Sequence, residues 1–202
     1  MKYKKSQIFG IPIIKKENVY TLNNDELSYL KTLPVRESDP DNGALVGKNV
    51  CVLQDEKFKT LREKINECAS SYIDDILCVD NEFEMTNSWF AKSKKEHKKH
   101  DHKNTIFSVV YYAQAENSII RFFRSKNIIT ETFNFDLEYN SYNEFNSTSI
   151  DFDVRTGDVI IFPGHLPHKG INYSDKEKII IGANYFIRGS VGKDRDITSL
   201  II

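Results

Sequence analysis

The sequence predicts an α+β fold in which helices come first and an antiparallel β-sandwich or barrel follows, with the helices packed on one side. Before Asp80, apolar residues recur with the period of a helix. After it come short runs rich in Val, Ile, Phe and Tyr, separated by Gly, Asn, Ser and Asp. No internal repeat or linker interrupts the 202 residues. We therefore expect one domain over residues 1–202.

Two helices are predicted in the first part of the chain. Asn24 can cap a short helix that Pro34 ends. The apolar residues of this helix are Leu27, Leu30 and Leu33. Residues 37–48 are rich in Asp, Asn, Pro and Gly and are predicted to form a loop, after which Asp55 opens the longest helix. The apolar stripe of that helix consists of Phe58, Leu61, Ile65, Cys68, Ala69, Tyr72, Ile73 and Ile76.

The strands are predicted from β-branched and aromatic runs bounded by turn residues. The opening run, 8–14, contains Pro12, which favours an edge position. The other predicted strands are 83–90, 105–113, 118–123, 150–154, 158–162 and 178–187. The polar, tyrosine-containing stretch 134–149 is predicted to be a long loop or a pair of short strands that shapes an entrance.

Charge and cysteine content narrow the class of protein. The 28 Lys and Arg residues are balanced by 29 Asp and Glu residues, so no overall field points to nucleic acid or a membrane. The basic N-terminus lacks the apolar core of a signal peptide. Three scattered cysteines without a C-x-x-C motif indicate reduced thiols. We expect a cytoplasmic protein.

Three histidines stand where two predicted strands could bring them together. His100, Asp101 and His102 precede the strand over 105–113, and His168 follows the strand over 158–162. Residues i and i+2 of an extended chain share a side, so His100 and His102 point together and Asp101 points away. Neutral imidazoles suit Fe, Zn, Cu and Ni. The alternative is that these are surface histidines in a lysine-rich loop. His97 is left outside the predicted site.

A second group of residues could face the same interior. Alternation over 178–184 puts Lys178 and Asn184 on one face of their strand. Alternation continued from His100 and His102 puts Ser108 and Tyr112 on the same face as those two histidines. An inward cation needs an anion, which a dicarboxylate would supply. Ser108 and Tyr112 could hydrogen-bond a bound ligand. The alternatives are a surface lysine beside Glu177 and plain core packing for the tyrosine.

These residues, taken in order, resemble the phage-type and marine-bacterial 2-oxoglutarate/Fe(II) oxygenases. The resemblance covers nearly the whole chain, and each motif is short. The motifs are Ser88-Trp89, His100-Asp101-His102, Ser108-Val109-Val110-Tyr111-Tyr112, Gly157-Asp158, Phe162-Pro163-Gly164, His168 and Glu177-Lys178-Ile179 through Asn184.

The resemblance implies a double-stranded β-helix, the jelly-roll or cupin-like barrel. It implies Fe(II) held by His100, His102 and His168, which would be the catalytic centre. It also implies 2-oxoglutarate on the iron, with its far carboxylate on Lys178 and Arg188 as the reserve cation. O2 and 2-oxoglutarate would yield succinate, CO2 and a hydroxylated substrate.

Four positions depart from the family pattern. His102 stands where most such oxygenases have a carboxylate, so the site would have three neutral ligands. Lys178 replaces the usual arginine and cannot form a bidentate fork. Val109 replaces a glycine and His165 an aromatic residue; we expect His165 to line the entrance or face solvent.

The leading hypothesis is therefore a 2-oxoglutarate- and Fe(II)-dependent dioxygenase that hydroxylates an unidentified substrate. The alternatives are a cupin-like metal-binding barrel that binds or transforms a small acid without 2-oxoglutarate, and a scaffold protein without metal. We expect a small-molecule or protein substrate and no membrane partner. Nucleic acid is disfavoured but stays open because of the lysine-rich segment, and a homodimer stays open too.

Overall fold

The fold is described from a computed structural model over residues 10–124, 137–192 and 197–202. Two antiparallel sheets face each other. The strands are β1 (Ile14–Lys16), β2 (Val35–Asp39), β3 (Ala44–Gly47), β4 (Glu82–Ser93), β5 (Phe107–Gln114), β6 (Ser118–Phe123), β7 (Ser149–Val154), β8 (Val159–Pro163), β9 (His168–Asn172), β10 (Lys178–Arg188), β11 (Ser190–Val191) and β12 (Leu200–Ile201). The larger sheet has the order β1-β8-β5-β10-β4-β3-β2, and the smaller has the order β7-β6-β9.

Strict alternation along the central strands divides the apolar residues between two cores. On β5, Val109 and Tyr111 join the core that packs against the helices, whereas Val110 and Tyr112 face the smaller sheet. Every residue from Phe107 to Ala113 is buried, because this strand is covered on both faces. The predicted α+β double-stranded β-helix with helices on one sheet is confirmed.

The helices are α1 (Asn24–Thr32) and α2 (Lys59–Tyr72). Asn23, rather than Asn24, caps α1: its side chain accepts from the Glu26 amide, and the Glu26 carboxylate accepts from the Asn23 amide, which is a capping box. Asp55 caps a single 3₁₀ turn that precedes α2. Helix α2 lies on the larger sheet through Leu61, Ile65, Cys68, Ala69 and Tyr72 of its predicted stripe. Ile76 of that stripe follows the helix and is exposed. The Tyr185 hydroxyl donates to Asn66 at 2.7 Å.

Two expectations about the strands are wrong. Residues 37–48 are mostly a β-hairpin, not a loop: β2 and β3 pair across a turn at Gly43 (φ 62°) and extend the larger sheet beyond β4. Strand β9 was not anticipated, because a five-residue segment with Lys, Gly and Asn has little strand character of its own. It becomes a strand by pairing with β6.

The other predicted strands are confirmed within a few residues, except the opening run 8–14. Of its described residues only Ile14 belongs to a strand, β1, which lies at the sheet edge as Pro12 indicated. The start of the run 8–14 and residues 134–136 of the predicted loop lie outside the described residues. The rest of that stretch consists of turns up to β7. Within the described ranges, no helix is long and apolar enough to cross a bilayer.

Candidate metal centre

The three predicted histidines meet between the two sheets. One ring nitrogen from each of His100, His102 and His168 lies within 4.8 Å of the other two. The Nε2 atoms of His102 and His168 are 3.4 Å apart. The three rings pack against one another, with centroids 4.5 to 5.3 Å apart. The ligand atoms are therefore close enough to share one ion.

Backbone pairing, rather than the strand predicted from 105, positions the H-x-H segment. Strand β5 begins only at Phe107. His100 exchanges two backbone hydrogen bonds with His168, at 3.0 and 2.9 Å, and the His102 amide donates to the Gly164 carbonyl at 2.8 Å. The segment is thus held extended beside β9, and the expected alternation results. Asp101 points away from the cluster and pairs with Lys103, as expected.

Each imidazole is held by its Nδ1 atom, which contacts an oxygen. His100 Nδ1 lies 2.8 Å from the Lys98 carbonyl, His168 Nδ1 lies 3.0 Å from the Leu166 carbonyl, and His102 Nδ1 lies 2.8 Å from Asn184 Oδ1. A carbonyl oxygen only accepts, so the proton of each neutral ring belongs on Nδ1. All three Nε2 lone pairs are consequently left for a metal.

Burial keeps two of these rings neutral. Desolvation lowers the pKa of His102 to about 4 and that of His168 to about 3, and the nearby His100 adds to both shifts. Hydrogen bonds at Nδ1 partly oppose the shifts. Both side chains are thus unprotonated at neutral pH, as metal ligands must be.

Lys178 lies where an inward cation was expected, at the start of β10. Its side chain is 1% exposed, and its Nζ has no hydrogen-bond partner among the described residues. Desolvation lowers the pKa of this amine to about 7, although Glu96 opposes the shift. Both Lys178 and the histidine cluster line one cavity of about 390 Å³.

Of the other predicted ligand contacts, only Tyr112 lines this cavity. Burial raises the pKa of its phenol, which therefore stays neutral. Ser108 and Asn184 are not among the residues that line the cavity. Both lie behind His102, because Asn184 Oδ1 accepts from the Ser108 hydroxyl at 2.8 Å as well as from the imidazole. They therefore orient His102, a candidate metal ligand, and do not line the cavity.

Arg188, the reserve cation, lies away from the cavity. It is exposed at the far end of β10 and pairs with Glu84, and it is absent from the cavity lining. His165 is exposed and lies outside the three-histidine cluster.

Two features of the cavity wall were missed. His97 lines it, and so do Arg36, Ser38 and Asp39 of the β2–β3 hairpin, together with Lys98 and Lys99. The hairpin residues were missed because the sequence predicts a loop over 37–48. Nothing in the local sequence around His97 indicates which way its side chain points, because this depends on the pairing of the segment with β9.

Comparison with known proteins agrees with the fold and the cluster. Residues 87–184 match the model of a family described as "Putative 2OG-Fe(II) oxygenase". This stretch contains the three histidines, Lys178 and Asn184. No curated protein sequence matches the chain.

Several solved structures share the fold. A prolyl-4-hydroxylase from Pseudomonas putida has a TM-score of 0.58 at 12% identity, covering 89% of this chain and 94% of that one. HygX from Streptomyces hygroscopicus, solved with nickel and 2-oxoglutarate, has a TM-score of 0.54 at 11% identity, covering 87% and 82%. A prolyl hydroxylase from Trichoplax adhaerens, solved with a hypoxia-inducible factor peptide, has a TM-score of 0.53 at 12% identity, covering 93% and 87%.

The double-stranded β-helix and its histidine cluster define a class of metal-dependent barrel enzymes. The family match narrows that class. Over residues 87–184 the chain matches the 2-oxoglutarate/Fe(II) oxygenase family, and with the fold and the histidine cluster this match indicates an enzyme that uses Fe(II), 2-oxoglutarate and O2.

Proposed function

We propose that the protein hydroxylates a small-molecule or protein substrate, with succinate and CO2 as co-products. One observation carries the proposal: one ring nitrogen from each of the three histidines lies within 4.8 Å of the other two, in the same cavity as the unpartnered amine of Lys178. The first feature suits a divalent metal and the second suits an anion. A keto acid with a second carboxylate needs both.

His100, His102 and His168 would hold the iron. Imidazole nitrogen is a suitable donor for Fe(II), and each ring is already held by an acceptor at Nδ1. Three neutral ligands leave the ion its full positive charge, which a dianionic co-substrate would offset. The Fe(II) and 2-oxoglutarate, when bound, supply the oxidation in which O2 contributes one oxygen atom to succinate and one to the substrate hydroxyl.

Lys178 would bind the far carboxylate of 2-oxoglutarate. Gly170 makes room for it, because a Cβ at that position would lie 2.7 Å from Lys178 Nζ. The buried ammonium has no carboxylate within ion-pair distance among the described residues. A bound anion would offset the desolvation of this charge. Tyr112 and the apolar side chains Val110, Ile120 and Ile180 line the same space.

The test is anaerobic addition of Fe(II) and then 2-oxoglutarate, with the visible charge-transfer band of a chelated keto acid as the readout. We expect the band in the native protein. In Lys178→Met, half-saturation should need at least about tenfold more 2-oxoglutarate, since a hydrogen bond to a charged group is worth roughly 1.5–3 kcal/mol. Lys176→Met is the matched control, because Lys176 is exposed and pairs with Glu116.

The three-histidine set also favours a second candidate, a cupin-like barrel that binds metal and a small acid without 2-oxoglutarate. Native protein that binds Fe(II) but forms no band at saturating 2-oxoglutarate would support this second function and exclude the first. Equal half-saturation in Lys178→Met and Lys176→Met would remove Lys178 from the site.

A further inference from the structure

His97 faces the cavity because of one extra residue in the segment that runs beside β9. The His97 amide donates to the Gly170 carbonyl at 3.0 Å, and His100 pairs with His168. From His97 to His100 the segment therefore advances three residues, whereas the paired stretch of β9, from Gly170 to His168, advances only two. Strict alternation would put His97 and His100 on opposite faces. The extra residue, as in a β-bulge, lets the side chains of His97 and His100 both face the cavity.

Inside the cavity, His97 lies beside Lys178. The space above Gly170 is shared: a Cβ built there would lie 2.7 Å from Lys178 Nζ and 3.9 Å from His97 Nδ1. Gly170 is the second residue after His168 on the same strand. The two side chains thus meet on the inner side of β9, close to the candidate iron ligand.

Both side chains have a buried polar atom without a partner. Among the described residues, Lys178 Nζ and His97 Nε2 are both buried and accept or donate no hydrogen bond. Such groups are rare in folded proteins and call for a missing partner. Lys178 Nζ lies beside Gly170, and so does Nδ1 of the His97 ring, whose other nitrogen is the unpartnered Nε2. An amine and an imidazole beside one glycine suit a ligand with two acceptor oxygens. Lys178 supplies a positive charge there, and His97 can supply an N–H.

We propose that His97 is a specificity-determining residue that binds the far carboxylate of 2-oxoglutarate together with Lys178, each taking one oxygen. This inference rests on the proposed function. Lysine offers a single point of contact where arginine would offer a bidentate fork. His97 restores the second donor from a different element, so the pair distinguishes a dicarboxylate from a monocarboxylate.

The test compares two keto acids of equal chain length. 2-Oxoglutarate carries the far carboxylate, and 2-oxopentanoate has a methyl group in its place. Their dissociation constants are measured by the charge-transfer band on anaerobic Fe(II) protein. In His97→Ala we expect the value for 2-oxoglutarate to rise about tenfold or more. The value for 2-oxopentanoate should not change. His97→Gln, which keeps an N–H donor, should recover part of the loss.

Controls separate this role from a structural one. His165→Ala removes an exposed histidine and should change neither constant. If His97→Ala weakens both keto acids equally, or neither, the inference is overturned while the proposed function stands. If native protein binds Fe(II) but neither keto acid, the proposed function fails and the inference fails with it. Should His97→Ala not fold, the same comparison on His97→Gln decides, since a smaller loss confined to 2-oxoglutarate is expected.

Discussion

The Nε2 atoms of His102 and His168 face each other at 3.4 Å, while the Nδ1 atom of each ring contacts an oxygen. With the ring protons on Nδ1, no hydrogen bond joins the two Nε2 atoms. Asn184 Oδ1 and the Leu166 carbonyl hold the ring protons on the opposite nitrogens. Two lone pairs directed at the same point repel each other unless a cation lies between them. An ion roughly 2 Å from each nitrogen would relieve this repulsion. The close approach therefore indicates a metal position.

Loss of His168 should abolish stoichiometric metal binding. We expect His168→Gln to retain almost no Fe(II) after anaerobic loading and desalting, whereas the native protein retains about one ion per chain, because two remaining imidazoles hold the ion weakly. Metal analysis of the desalted protein measures this. His165→Gln, three residues away and exposed, should retain the native amount. Equal metal in both variants would contradict the three-histidine centre.

Asn184 should affect metal affinity without touching the ion. Its Oδ1 accepts from His102 Nδ1 at 2.8 Å, and removal of such an outer contact typically costs about 10- to 100-fold in metal affinity. We expect Asn184→Ala to lie in this range in a competition titration against a chromophoric chelator. Ser108→Ala, which leaves the bond to His102 in place, should have a smaller effect. An unchanged affinity in Asn184→Ala would show that the Asn184 contact does not tune the ligand.

A methyl group at Gly170 should displace the Lys178 amine. The added Cβ would lie 2.7 Å from Nζ, and the flexible lysine can move away at little cost to the fold. We expect Gly170→Ala to weaken 2-oxoglutarate binding by roughly tenfold, the loss of one charged hydrogen bond. Metal content and melting temperature should stay near native. A large fall in melting temperature with unchanged 2-oxoglutarate affinity would contradict this assignment.

Binding of 2-oxoglutarate should weaken above neutral pH. Desolvation lowers the pKa of Lys178 to about 7 in the free protein, and a bound carboxylate would raise it. Above pH 7 the amine must therefore gain a proton on binding. The dissociation constant should then rise by up to about tenfold per pH unit, and below pH 7 this contribution should level off.

Isothermal titrations from pH 6 to pH 9 measure this dependence. 2-Oxopentanoate, which lacks the far carboxylate, is the control and should show a flatter profile. Parallel profiles for the two keto acids would mean that another group, such as metal-bound water, causes the dependence.

The sequence by itself determined the layered α+β fold and the inward face of its longest strands. Alternation predicted Tyr112 and Lys178 in the interior correctly, because β5 and β10 are long and paired on both sides. The periodic apolar residues of α2 also predicted the face that this helix buries. In these elements the local pattern and the tertiary packing agree.

Tertiary structure alone decided the register of the short segments around the cavity. His97 turns inward only because its segment carries one residue more than the facing stretch of β9. Strand β9 and the hairpin of β2 and β3 exist through pairing with distant strands. Ser108 and Asn184 share the predicted face but lie behind His102, out of reach of the cavity. Alternation predicts the face of the strand on which a side chain lies. Whether that side chain reaches the cavity, and which groups it contacts, depends on hydrogen bonds between segments far apart in the chain.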